Sequence, residues 1–409
     1  MTADVSLIVV IFVLTYLGVA VGRIPGLQLD RVGIALLGAT AMVVLRAVPI
    51  GDIHHAVDLP TILLLYALMI VSAQLRLGGF YTRVALHITG LSARPVRLLA
   101  WVMVLSAVLS ALLANDIICL AFTPVLIYSL VQARVNPLPF LLGLAVSSNI
   151  GSAAAIIGNP QNMLIGQVGR LEFGQFMLWC APPAAVSLIG GFLIIAAVYK
   201  NRFALEEKIG ELRRDWPEFN LWQSSKGLLA VAVLIILFFT SIPRELSGIA
   251  VAGILLCSRK LESREIMKLI DWHLLVLFFA LFIVIHAVTL AGLPSVMVEA
   301  LTRRGVDLGN LFILSGVSTL LSNAVSNVPA VMLLIKFLDA NAPTQWYALA
   351  VSGTFAGNLI TIGSIANLIV IEQARPFGVV ISFKEHAKIG VPVTLFSLAV
   401  LAAWIAFAG

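Results

Sequence analysis

The sequence predicts an all-α polytopic membrane protein, an inverted-topology repeat with about ten membrane-crossing helices and two re-entrant hairpins. Three observations lead there. Of the 409 residues, 60% are hydrophobic and only 11% charged, against about 25% charged in an ordinary soluble domain. One unusual segment occurs twice: residues 144–170 read LAVSSNIGSAAAIIGNPQNMLIGQVGR, and residues 349–375 read LAVSGTFAGNLITIGSIANLIVIEQAR. Finally, Lys and Arg fall almost entirely on alternate connections between the apolar runs. A spanning β-barrel would instead show ~10-residue segments of alternating polarity.

The apolar runs cover residues 5–22, 33–49, 59–75, 97–131, 138–168 and 181–198, then 227–242, 246–258, 272–290, 308–338, 345–373 and 389–408. The opening MTADVS has no basic stretch, so the first run reads as a retained span rather than a cleaved signal. Runs 97–131 and 308–338 are too long for one span, and each is broken near its middle. The first break is Ala114, Asn115 and Asp116; the second lies within Ser322 to Asn327. Open backbone is tolerated at membrane depth only inside protein or along a water-filled cavity. Each long run is therefore expected to be a re-entrant hairpin with its tip near the midplane.

The repeat gives the two halves one plan. An offset of 205 pairs Ser147 with Ser352, Gly158 with Gly363, Asn162 with Asn367 and Arg170 with Arg375, and puts Pro124 on Pro329. An offset of 213 aligns residues 58–80 with 271–293, placing Asp58 on Asp271 and Gly79 on Gly292. With hairpins returning to the side they left, each half crosses the membrane an odd number of times, so the second half is inverted. Residues 1–199 form the first repeat, 200–226 a cytoplasmic linker and 227–409 the second repeat. The charges agree: twenty Lys and Arg collect on one side, and only Arg170, Arg244, Arg303 and Arg304 on the other. The positive-inside rule puts both termini outside the cytoplasm. The expected location is the plasma (inner) membrane, with lipids as the surroundings and no nucleic-acid partner.

The polar breaks carry the chemistry. A carboxylate at membrane depth is costly unless paired or hydrated, which makes Asp116 a cation ligand or proton carrier; capping the following helix is the competing role. Breaking a helix frees backbone amides, which bind anions, and carbonyls, which bind cations. The first break offers Ser148, Asn149, Gly151, Ser152, Gly158 and Asn162. The second half offers Asn323, Ser326, Asn327, Thr354, Gly357, Asn358, Gly363 and Asn367, with no charge among them. Close packing through small residues is the competing reading for the glycines. A Na⁺ site is expected at Asn115, Asp116 and Asn149. His286 lies within a span, whereas His54 and His55 read as solvated loop residues. The three cysteines, Cys119, Cys180 and Cys257, have no metal-type spacing. Neither a nucleotide-binding loop nor an H-E-x-x-H motif is present, so an enzyme is not expected.

At SSNIGSAAAIIGNPQN (147–162) and LANDIICLAFTP (113–124) the chain resembles the ion transporter superfamily with the citrate-transporter-like domain, over nearly its whole length. That group includes arsenite permeases, plant silicon efflux transporters, sodium–dicarboxylate and sulfate symporters and the melanosomal P protein. The resemblance implies inverted repeats, ion and substrate sites at hairpin tips and broken helices, a homodimer and an elevator-like motion. The sodium–dicarboxylate branch has Ser-Asn-Thr at both tips; here the tips read Ala114-Asn115-Asp116 and Ser322-Asn323-Ala324. This is closer to the arsenite and silicon branch. The expected function is secondary active transport of a small inorganic solute, an oxyanion or its neutral acid such as arsenite or silicic acid, coupled to H⁺ or Na⁺. A sodium-coupled citrate, dicarboxylate or sulfate symporter, a Na⁺/H⁺ antiporter and an ion channel are the alternatives.

Overall fold

A computed structural model describes residues 4–22, 28–89, 94–204 and 218–408. Among these, the regular structure is helical apart from one bridge between Val135 and Ala204. The first half opens with α1 (Val5–Val21) and α2 (Arg31–Val44). A single turn, α3 (Ile53–Ala56), leads into α4 (Leu59–Leu77) and the amphipathic α5 (Phe80–Thr89). Next come the hairpin limbs α6 (Pro95–Leu112) and α7 (Asn115–Gln132). An interrupted segment, α8 (Leu138–Ser152) and α9 (Pro160–Val168), precedes α10 (Phe173–Val198).

The second half repeats this order. It opens with α11 (Leu221–Phe238), α12 (Arg244–Leu256) and the short α13 (Ser263–Met267). Then come α14 (Trp272–Leu290), the amphipathic α15 (Leu293–Arg303) and the limbs α16 (Leu311–Val325) and α17 (Asn327–Leu334). An interrupted pair, α18 (Pro343–Ala356) and α19 (Ile365–Ala374), is followed by α20 (Phe383–Ala408). Of the expected 200–226 linker, residues 205–217 lie outside the described residues, with Lys208, Arg213 and Arg214; Arg23 lies outside them too.

Local chemistry explains the paired elements. Asp58 caps α4 by accepting the Thr61 N–H at 2.9 Å, and Asp271 caps α14 by accepting the Leu274 N–H at 2.9 Å. Each cap satisfies one orphan amide of a helix start. Beyond these helices, Gly79 (φ +70°) and Gly292 (φ +68°) turn the chain through the left-handed region that glycine enters at little cost.

Among the described residues, seven helices are long and apolar enough to span a membrane: α4, α6, α7, α10, α11, α14 and α20. Both limbs of the first hairpin are among them at 18 residues each, whereas α17 has 8. The two hairpins are therefore less alike than the sequence implied. Pro329 is the third residue of α17 while Pro124 is ten residues into α7, so the offset that pairs these prolines does not pair the helix starts. The starts Asn115 and Asn327 correspond instead.

The second break falls at the far end of the expected stretch. α16 runs unbroken through Ser322 and Asn323, and the chain breaks only at Ser326. Asn323 Nδ2 donates to Thr319 O at 2.9 Å, one turn back, so this residue supports the helix rather than ending it. What ends α16 is Pro329, which could not donate to the carbonyl of residue 325 in a continuous helix but is accommodated in the first turn of a new one. Ser326 takes φ 77°, ψ 158°, a region that is essentially glycine-only and costs about 1–3 kcal/mol elsewhere. Ser326→Gly should therefore raise the melting temperature of the purified protein and Ser326→Val should lower it. Equal melting of the two variants would show that the tip stores no strain.

Candidate functional site

Four helices start at one place. Asn115 and Asp116 open α7, Pro160 and Gln161 open α9, Asn327 and Val328 open α17, and Ser364 with Ile365 opens α19. These residues, with Ser326, enclose a cavity of about 20 Å³, room for about one water. Each start follows extended or strained backbone: Leu113 and Ala114, Asn159, Ser326, and Ser364. A helix N-terminus presents unpaired N–H groups and roughly half a positive charge. The cavity is thus ringed by the positive ends of both hairpin tips and both interrupted segments.

Beside it lies a buried amide network. Asn149, 1% exposed, accepts from Asn115 Nδ2 (3.1 Å) and Ser364 Oγ (2.9 Å) and donates to Asn358 Oδ1 (2.9 Å) and Asn367 Oδ1 (3.1 Å). One side chain therefore ties the first hairpin tip and the first break to the second break. Its counterpart at offset 205, Thr354, meets Asn159 Nδ2 (3.2 Å) and Asn162 Oδ1 (3.4 Å), the counterparts of Ser364 and Asn367. The exchange is reciprocal, as at an isologous interface.

The paired Asn162 and Asn367 do the same work. Asn162 Nδ2 donates to Ser152 O and Ala155 O, both at 3.2 Å; Asn367 Nδ2 donates to Gly357 O (2.7 Å) and Ile360 O (3.3 Å). These acceptors correspond at the same offset. Each Asn closes the carbonyl end of the preceding half-helix, which would otherwise be bare. Ser152 receives Asn159 Nδ2 at 2.9 Å, and Ser148 Oγ bonds Ser110 Oγ (2.7 Å) and Asn115 O (3.2 Å), holding the first tip to α8.

The glycines divide. A Cβ on Gly151 would lie 2.2 Å from Ala107 O, and one on Gly158 would lie 2.2 Å from Ser152 O. For Gly151 this is helix packing against α6, and for Gly158 the fold of the break on itself. By contrast, a Cβ on Gly357 or Gly363 would come within 2.9 Å of Asn327 Nδ2 or Asn323 Oδ1. These two glycines let tip amides approach the second break. Asn323 itself donates to Ala356 O at 3.0 Å.

Four buried polar atoms here have no hydrogen-bond partner among the described residues: Ser322 Oγ, Asn323 Oδ1, Asn327 Oδ1 and Asn358 Nδ2. Buried polar groups are normally paired, so these four stand out around the second break. Asp116 lies between two spaces. It borders the 20 Å³ cavity and a second of about 70 Å³ that it shares with Asp271. The capping role for Asp116 does not hold. The cap position of α7 is Ala114, without a side-chain bond, and the Asp116 N–H is itself taken by Asn115 Oδ1 at 3.0 Å.

Sequence reasoning missed His386. It is buried at the start of α20, with Nε2 3.0 Å from Asn358 O. Its flanking charges made the stretch read as a plain connection. Arg244 was counted only as an outer charge, yet it donates to Leu171 O (2.8 Å) and Gly166 O (2.6 Å), clamping the carbonyl end of α9.

The sequence matches the family model described as citrate transporter over residues 9–356. It is 30% identical to the uncharacterized transporter Mb2703 of Mycobacterium bovis, with 97% of each chain covered. It is 27% identical to the silicon efflux transporter LSI3 of Oryza sativa subsp. japonica, with 92% of each chain covered. Among solved structures, the YdaH transporter of Alcanivorax borkumensis is similar at a TM-score of 0.57 and 15% identity, covering 99% of this chain and 98% of that one. That last likeness is one of fold.

Proposed function

The chain belongs to the citrate transporter family, and from that premise we propose that this multi-pass membrane transporter is an ion-coupled carrier of a small inorganic oxyanion or its neutral acid. The observation that carries the reading is the cavity of about 20 Å³ ringed by four helix N-termini. Converging N–H groups favour oxygen-rich, negatively polarised solutes. A space with room for about one water would have to open for such a solute, and further for citrate. The silicon efflux activity of the rice relative points the same way.

Asp116 then carries the coupling H⁺ or Na⁺, with the Asn115 and Asn149 amides beside it. Asn162 and Asn367 shape the breaks, and the unpaired atoms of Asn323, Asn327 and Asn358 receive the solute or a second ion. In the same reading residues 1–199 and 227–409 are inverted repeats joined by a cytoplasmic linker, 200–226. Both termini face outward from the plasma (inner) membrane, and the carrier is a homodimer. The reciprocal bonds of Asn149 and Thr354 support the repeat.

The test is uptake and counterflow in proteoliposomes with arsenite, silicic acid, sulfate, phosphate and citrate, under imposed Na⁺ or H⁺ gradients. Saturable counterflow of one of the inorganic solutes is expected. Preference for citrate would select the organic-anion alternative, and flux without counterflow would select a channel.

A further inference from the structure

Both α9 and α17 begin at the central cavity and end at a second, larger one. It has a volume of about 360 Å³ and is bordered by Val168 at the end of α9 and by Met332 and Ile335 at the end of α17. At 1.5 Å per residue, these helices of 9 and 8 residues set the two cavities roughly 12 Å apart. The larger one lies on the side that the Lys and Arg distribution assigns to the exterior.

Its polar wall is basic. His54 and His55 of α3, His286 of α14 and Lys336 just beyond α17 all line it, against one carboxylate, Asp58. Asp58 caps α4, 2.9 Å from the Thr61 N–H, and its charge also acts on Lys336, leaving the three histidines without an acid in the cavity wall. Asp52 is the other acid acting on His286, which also feels Lys336 and His55. Among the described residues Lys336 forms no salt bridge. The His54 and His55 rings lie 3.8 Å apart, centroid to centroid, and line the same space. Lys336 also complements the carbonyl end of α17, but the histidines have no such structural duty. A concave space of ~300–1,000 Å³ with a few convergent polar groups is the usual form of a small-ligand site, and basic groups from three separate elements make it complementary to negative charge.

We propose that this cavity is an outer anion-binding vestibule that takes a small charged oxyanion ahead of the central cavity, with Lys336, His54, His55 and His286 as its ligands. Only the order of events, vestibule before central cavity, rests on the transport reading; the binding itself does not. Each histidine ring offers an N–H donor to an anion's oxygens.

Sulfate is the probe, a dianion with four acceptor oxygens. Isothermal titration of the full chain in phosphatidylcholine nanodiscs should show saturable sulfate binding. Lys336→Gln and the double variant His54→Gln/His55→Gln should each weaken it about tenfold, and Lys260→Gln, in the connection between α12 and α13, should leave it unchanged. Absence of sulfate binding, or binding intact in Lys336→Gln, overturns the proposal. Adding anionic phosphatidylglycerol to the discs separates the two sources of such a ligand. Unchanged sulfate affinity supports a soluble anion, whereas displacement assigns the cavity to a lipid headgroup and overturns it. Because the readout is binding, failure of counterflow in proteoliposomes would remove the proposed function and leave this result standing.

Discussion

Asn149→Ala should abolish transport and destabilise the protein by about 3 kcal/mol or more, since unpaired buried partners cost ~1–3 kcal/mol each. The truncation strands Asn115 Nδ2, Ser364 Oγ, Asn358 Oδ1 and Asn367 Oδ1 at once. The first hairpin tip and the second break would part, and with them the helix starts that ring the cavity. Asn149→Asp supplies the control. It keeps the shape and the acceptor oxygen but puts a second oxygen where the donor nitrogen stood, so it cannot donate to Asn358 and Asn367 and should also transport poorly. Thermal melting in detergent and initial uptake in proteoliposomes are the measurements. An alanine variant that melts and transports like the parent protein would mean that the network is dispensable.

Asp116→Asn should abolish gradient-driven accumulation while leaving solute exchange detectable. Asp116 is half-buried in the first turn of α7, borders both the central cavity and the one shared with Asp271, and has no salt-bridge partner among the described residues. Near a helix N-terminus a carboxylate is stabilised by about 0.3–1 kcal/mol, so Asn costs little in folding. What it removes is the charge that holds a proton or Na⁺. The comparison is uptake against equal-concentration exchange, with and without an imposed gradient. If the variant still accumulates solute against its gradient, Asp116 is not the coupling group.

Much of the architecture was legible because hydrocarbon makes simple demands on a chain. Long apolar runs, the breaks at Ala114 and Ser147 to Asn162, the caps Asp58 and Asp271, and the turns Gly79 and Gly292 are local features. Each declares itself through a side chain that frees, satisfies or releases backbone groups. The offset of 205 likewise carried Asn162 onto Asn367, and the two make equivalent bonds. Less legible was the second hairpin tip, where polarity pointed to Ser322–Asn327 in general and a proline at Pro329 decided the residue.

The sequence by itself determined the class, the order of elements and which polar residues stand at the breaks, because backbone satisfaction in a membrane is settled segment by segment. Only the tertiary structure decided which breaks meet. It brought the starts of α7, α9, α17 and α19 around one cavity, made Asn149 the joint between halves, packed Gly151 against α6, and turned the loop histidines His54 and His55 into the wall of a cavity with His286 and Lys336. These contacts join residues far apart along the chain. They follow from how helices pack, a property of the assembled surfaces that no single segment encodes.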